Sequence, residues 1–230
     1  MATSTVLLDA GGVILDESEH EAVRAEITAQ VLSAVVPGYT VDAYYEDIEN
    51  AVRSFCSRAY HYVFWKHCGN DVPLFDRLLA QYNQSWREQM PPLKLSDGIE
   101  DEISQIARRF DVAIAGQYGA EVLNLLEENS ILDCFAHRFT QDDFAITKPD
   151  PRYLEQIAKA CGVDPRQCIM VGDRIDKDVI PAKQLGMKTI LIRTGLHRDQ
   201  QPRIPSEIPD AELPGVRGLA AAILKLGEEE

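Results

Sequence analysis

Apolar positions along this chain of 230 residues fall into two patterns. Four short unbroken runs read as strands buried on both faces: Thr5–Leu8, Asp111–Gly116, Cys168–Val171 and Lys188–Ile192. Between them, apolar residues recur three or four apart and read as helices. These are Ile99, Ile103, Ile106 and Phe110, then Val122, Leu125 and Leu126, then Leu154, Ile157 and Ala158 after Asp150-Pro151. A further helix leads to Leu185-Gly186, and a last one lies near Leu219–Leu226. Strands alternating with helices predict parallel pairing and a doubly wound sheet. The segment Arg198–Pro214, rich in proline and acid, reads as a surface excursion.

The stretch after the first strand has a different character. Val23, Ile27 and Val31 keep helical spacing until Pro37-Gly38, with Ser18 and Glu21 as a capping box. A second helix, capped by Asp42, carries Tyr44, Ile48, Val52, Phe55, Ala59 and Tyr62 along one side. A third runs from about Leu74 through Leu78 and Tyr82 to Trp86, before Pro91-Pro92. No strand interrupts them. The predicted architecture is therefore α/β, a Rossmann-like parallel core (residues 1–16 and 96–230) with an inserted all-helical domain (17–95).

Composition narrows the partners. Hydrophobic residues are 45% and charged residues 26%, ordinary values for a folded chain. Thirty-seven acids against 23 bases give a net charge of −14, whose field repels nucleic acid and anionic membranes. A small anion held by a local lysine or metal ion remains compatible with it. Five cysteines without a C-x-x-C pair suggest reduced thiols rather than a disulfide framework or zinc knuckle. The N-terminal run lacks a basic region and is too short for a signal peptide, and no 18-residue apolar stretch occurs. A cytoplasmic protein is expected. Its oligomeric state is left open, a homodimer being one option.

In an open parallel sheet, ligands bind outside the carboxyl ends of the strands. The polar residues there are Asp9, then Gly116-Gln117-Tyr118, then Asp173 with Asp178, and Lys148 in a loop. Asp9 and Asp173 on adjacent strand ends would make an oxygen-only site suited to magnesium. Lys148 would grip an anion. Any one of these has a bland reading, since aspartates at strand ends often cap helices or form turns. Their joint occurrence in this order is harder to dismiss.

The set Asp9-x-Gly11-Gly12-Val13, Lys148-Pro149-Asp150-Pro151 and Gly172-Asp173-x-x-x-x-Asp178, followed by Pro181-Ala182 and Gly186-Met187, resembles the haloacid dehalogenase (HAD) superfamily. The match covers Val6–Asp16 and about Ser96–Thr194, and makes the helical insert the family's cap. The resemblance implies phosphoryl transfer through an aspartyl-phosphate on Asp9. Magnesium would be held by Asp9, the Gly11 carbonyl and Asp173, with Asp178 orienting its waters or Lys148. Lys148, Gly116 and Gln117 would receive the phosphoryl group of a small phosphorylated molecule.

Two departures qualify this. Family phosphatases carry an acid–base aspartate two residues after the nucleophile, and here that residue is Gly11. Where they present Ser or Thr after the middle strand, this chain has Gly116. A missing general acid withdraws roughly a hundred- to ten-thousand-fold of rate. The expected activity is therefore a weak or atypical magnesium-dependent phosphohydrolase. Alternatives are an inactive phospho-ligand-binding protein, a haloacid-type hydrolase, disfavoured by Asp173, or a phosphonate hydrolase. The last would need Lys66 as a buried Schiff-base amine of lowered pKa.

Overall fold

The computed structural model describes residues 3–228. Strand β1 (Thr5–Leu8) leads into helices α1 (Ser18–Ser33), α2 (Val41–Arg53), α3 (Ala59–Lys66) and α4 (Val72–Gln89). There follow α5 (Ile99–Ile106), β2 (Asp111–Ile114), α6 (Ala120–Glu128), α7 (Pro151–Ala160) and β3 (Cys168–Gly172). A π-helical turn, Ile175–Val179, runs directly into α8 (Ile180–Gln184). Then come β4 (Lys188–Ile192), β5 (Ala211–Leu213) and α9 (Leu219–Glu228). By its internal contacts the chain divides into two units, one up to Asp16 and from Leu93 onward, the other Glu17–Pro92.

The first unit is built on one parallel sheet in the order β2-β1-β3-β4-β5. Both of its faces are covered, which is why the strands read as continuous apolar runs. Val6, Leu8, Val112, Ile169 and Ile190 pack with Ile103 of α5, Leu126 of α6 and Ile223 of α9. Leu7, Ala113 and Met170 point the other way, onto Leu154 and Ile157 of α7 and Ala182 of α8. Because β1 is central, paired in register Leu8↔Ile114 and Leu8↔Val171, the residues that follow three strands emerge side by side.

The surface excursion expected over Arg198–Pro214 contains a strand. Its three residues pair with Ile190, Leu191 and Ile192, yet none of them is buried, so no apolar pattern announced it. Gln200 and Glu207 of the same segment are buried.

The second unit holds α1 to α4. Its second helix ends earlier than its apolar side suggested. The chain leaves the helix at Ser54, Phe55 adopts φ 56°, and α3 begins at Ala59. The caps differ too. Thr40 rather than Asp42 caps α2, its side chain accepting from the Ala43 N–H. Glu17 stands at the N-cap of α1 without a side-chain capping bond, and Ser18 lies inside the helix. Among the described residues no helix is long and apolar enough to cross a membrane.

Candidate active site

Asp9 directly follows β1, and its backbone N–H donates to the Val171 carbonyl (2.9 Å) as though the strand continued. The chain then turns tightly, with the Leu15 N–H donating to Ala10 and the Gly12 N–H to Leu15. Gly12 has φ +67°, and a Cβ there would lie 2.8 Å from the Asp173 carboxylate. Glycine is required on both counts. Thr194, just after β4, donates its hydroxyl to the Gly12 carbonyl (2.8 Å) and ties the turn down.

Lys148 enters from the loop before α7, across a cis peptide bond to Pro149. Its ammonium donates to Asp9 Oδ1 (2.8 Å) and Asp178 Oδ1 (2.6 Å). All three groups are buried, Lys148 at 6% exposure and Asp178 at 1%. Burial alone would lower the Lys148 pKa, but the pull of Asp178 and then Asp9 outweighs it and raises it. Asp178 responds in the opposite sense. Burial pushes it up to about 6, with Asp9 acting the same way against Lys148. One ammonium serves two carboxylates, so the lysine stays charged while Asp178 sits above the usual carboxylate range.

Asp173 follows β3 and completes the cluster. Carboxylate oxygens of Asp9, Asp173 and Asp178 lie within 4.8 Å of one another. Three hard oxygen donors of this kind fit a magnesium-type cation better than a soft-ligand metal. The glycine before Asp173 is forced, because a Cβ on Gly172 would lie 2.2 Å from the Asp178 carboxyl carbon. Asp178 also accepts from the Arg174 N–H (3.1 Å), which fixes the π-helical turn on which it sits.

The sequence-derived set is therefore brought together for Asp9, Lys148, Asp173 and Asp178. Gly11 lies two residues after Asp9, buried and bridged to Leu15. Gly116 lies past β2, and its carbonyl accepts from the buried Tyr153 hydroxyl (3.0 Å). Gln117 is partly buried and makes no hydrogen bond among the described residues.

Other residues around the site carry no motif that sequence reasoning could have used. Arg174 pairs with Asp176 (2.7 Å), which also accepts from Gln200 (3.3 Å), and Gln200 accepts from the Ile175 N–H (2.8 Å). His197 is buried beside them. Desolvation, then the Arg174 charge, lowers its pKa to about 3, so it is neutral. Lys177, between Asp176 and Asp178, is partly buried, and its pKa is lowered by burial and by the charges of Arg174 and Lys148.

The amine weighed for phosphonate chemistry, Lys66, lies on α3 of the second unit. Lys66 and His67 (2.6 Å) both bond the Asp47 carboxylate, which also accepts from Tyr39 (2.9 Å). The Asp47 bond raises the Lys66 pKa, opposite to what a Schiff-base lysine needs. All five cysteines are free.

Residues 145–219 match the family model described as HAD-hydrolase-like. The chain is similar to the glyceraldehyde 3-phosphate phosphatase of Methanopyrus kandleri, 34% identical over 88 residues, 38% of either chain. It is also similar to the phosphoglycolate phosphatase of Mesorhizobium japonicum, 30% identical over 54% of this chain and 56% of that one. The matches thus span from about a third to just over half of these relatives. Among solved structures, HAD-hydrolase YfnB of Bacillus subtilis, bound to magnesium, superposes with TM-score 0.68 at 20% identity, covering 97% of this chain and 99% of that one. A predicted phosphoglycolate phosphatase of Haemophilus somnus gives 0.70 at 16% identity over 98% of each.

Proposed function

We propose that the chain is a haloacid dehalogenase-like hydrolase and that it hydrolyses a small phosphorylated metabolite through an aspartyl-phosphate on Asp9. The observation that carries this reading is the buried Lys148 ammonium bonded at once to Asp9 and Asp178. A carboxylate held in this way is fixed in orientation, which is what an oxygen nucleophile requires. The phosphatase names of the sequence relatives support the same chemistry.

An Asp9 oxygen forms the new bond to phosphorus while the bond to the leaving oxygen breaks. Water then attacks that phosphorus, releasing inorganic phosphate and restoring Asp9. Lys148 holds Asp9 and offers positive charge to the phosphoryl oxygens. Magnesium, held by Asp9, Asp173 and the Gly11 carbonyl with Asp178 behind them, would offset the repulsion between carboxylate and phosphate. Gly11 has no side chain to protonate the leaving oxygen, so substrates with good leaving groups are favoured. On this reading the four-helix unit stands in the place of the family's cap and substrate choice is assigned to it, in a cytoplasmic protein.

The test is hydrolysis of an aryl phosphate with magnesium and with a chelator, beside Asp9→Asn. Magnesium-dependent turnover that disappears in the variant is expected. Turnover unaffected by Asp9→Asn would exclude Asp9 as nucleophile. Phosphate binding without any turnover would favour a non-catalytic phospho-ligand-binding protein, which Gly11 and Gly116 together make the second reading.

A further inference from the structure

The π-helical turn Ile175–Val179 delivers the Asp178 carboxylate to Lys148, so whatever fixes the turn fixes that contact. The first N–H groups of a helix have no acceptor within it, and a buried one needs a partner from elsewhere. Arg174, at the N-cap position, supplies no side-chain capping bond. The partner comes from 25 residues away in sequence. Gln200, 2% exposed, accepts the Ile175 N–H (2.8 Å) on its amide oxygen and donates its amide nitrogen to Asp176 Oδ1 (3.3 Å). Arg174 donates to the same Asp176 carboxylate through two bonds (2.7 and 3.1 Å). The turn then closes on itself. The Asp178 and Val179 N–H groups donate to the Arg174 carbonyl (3.0 and 3.2 Å), and the Arg174 N–H donates to Asp178 Oδ2 (3.1 Å). Gln200 is itself held from the sheet. Its N–H donates to the His197 carbonyl (3.0 Å), and the Arg193 guanidinium donates to its carbonyl while pairing with Glu212 of β5 (2.9 Å).

We propose that Gln200 is a positioning residue, capping the π-helical turn from outside and so fixing Asp178, and through it Lys148, for the reaction at Asp9. This rests on the phosphoryl-transfer reading of the same site. Turns of this kind interrupt regular helices at functional positions, and their geometry has to be imposed by partners beyond the helix. The edge strand and loop that no apolar pattern announced thereby acquire a task. They carry one buried amide to the start of the turn, and the hydrogen bonds run on from there to Asp178, Lys148 and Asp9.

The test compares the natural full-length chain with Gln200→Met, Gln200→Glu and Ile223→Val, the last a truncation in the packed core on α9. Amide hydrogen exchange on the metal-free protein reads the turn directly. In Gln200→Met the Asp178 and Val179 amides should exchange about fivefold faster, as for one hydrogen bond lost, while β1 and β3 stay as they are. Magnesium titrated by calorimetry should bind about tenfold more weakly, the scale of a lost outer partner at a metal site. In steady state with an aryl phosphate, kcat should fall about tenfold and KM stay within about twofold, because the amide orients the cluster without touching substrate. Gln200→Glu keeps the acceptor for the Ile175 N–H and loses only the donor to Asp176, so its shifts should be smaller and of the same sign. It carries the comparison if Gln200→Met does not fold. Ile223→Val should melt lower and leave the turn's exchange, magnesium affinity and kcat in place. Values matching the natural chain in every Gln200 variant that folds, or lower melting alone as in Ile223→Val, overturn the proposal. Turnover abolished by Asp9→Asn with kcat and magnesium affinity indifferent to Gln200 would leave the hydrolase reading standing and this one fallen. Faster turn exchange and weaker magnesium binding in Gln200→Met, in a chain without turnover, give the converse.

Discussion

Gly116 approaches Ala10 so closely that a Cβ added to the glycine would lie 2.3 Å from the alanine methyl and 2.6 Å from the alanine backbone nitrogen. The loop after β2 is packed onto the turn that carries the candidate nucleophile, and its carbonyl is held there by Tyr153. The missing hydroxyl at this position is therefore a consequence of packing and not a free choice of side chain. Gly116→Ser should fail to restore a phosphoryl contact and should cost about 1–3 kcal/mol as an overpacked substitution. Denaturant unfolding and aryl phosphate turnover of the one variant check both halves. A stable, faster Gly116→Ser protein would contradict this packing account.

Gly11 differs from its neighbour. Gly12 has a left-handed backbone against Asp173, whereas Gly11 is not among the glycines of positive φ. Gly11→Asp therefore meets no left-handed backbone strain, and by the family pattern it would put a carboxyl where the leaving oxygen needs a proton. If the absent acid is the main defect, turnover of an alkyl phosphate should rise by about a hundredfold, near the lower end of what general acid catalysis contributes. An aryl phosphate, whose leaving group needs little help, should gain much less. Equal gains on both substrates would mean the new carboxyl acts in some way other than as an acid.

The strand ends were legible because a strand buried on both faces leaves a dense apolar run, and Asp9 and Asp173 are polar breaks beside such runs, while Lys148 stood out through the Lys148-Pro149-Asp150-Pro151 motif of a loop. Their meeting at one point follows from β1 lying between β2 and β3, which alternation implies but does not number. What stayed hidden had no local period. β5 is a three-residue edge without a buried residue, so only its pairing with β4 defines it. The break after α2 depends on Phe55 taking φ 56°, a conformation its side chain does not advertise. Phosphonate chemistry would have needed Lys66 as a buried amine among aromatics, but its partner Asp47 is 19 residues away on another helix. Arg174, Asp176 and Gln200 are joined through a loop whose path the sequence does not specify.

Lys148→Met should remove the one cation that two buried carboxylates share. Breaking a buried pair by deleting one partner costs about 3–5 kcal/mol, because the orphaned charge remains. The loss should be largest above pH 6 and shrink on acidification, as Asp178, already raised to about 6, takes up a proton and relieves the repulsion with Asp9. Magnesium, which binds the folded state through the same carboxylates, should restore part of the loss by mass action. Chemical denaturation at pH 5 and 8, with and without magnesium, reads all three effects. A stability loss that ignores both pH and magnesium would mean the lysine's contribution is packing alone.

Glu21, in the helical unit, provides a pH signature separate from the candidate site. Its carboxylate accepts from the Tyr44 hydroxyl (2.6 Å) and the Tyr60 hydroxyl (3.0 Å), while Arg24 lies over the Tyr60 and Trp86 rings and bonds Tyr82 (2.9 Å). Burial nevertheless wins over these hydrogen bonds and lifts the Glu21 pKa from 4.5 to about 7. The folded state therefore holds this proton up to about pH 7, whereas the unfolded chain releases it above about 4.5. Its contribution to stability is full below that lower value, declines as pH rises through the window, and stays low above 7. The decline is on the order of 3 kcal/mol at most, from the linkage of one group. Glu21→Gln cannot ionise, so the stability of the variant relative to the natural chain should rise from pH 4.5 to 7 and then level off. Histidines that titrate in the same range cancel in that difference, because both proteins carry them. Two parallel stability curves across the window would show that the Glu21 carboxyl titrates normally and that its phenol contacts keep it charged.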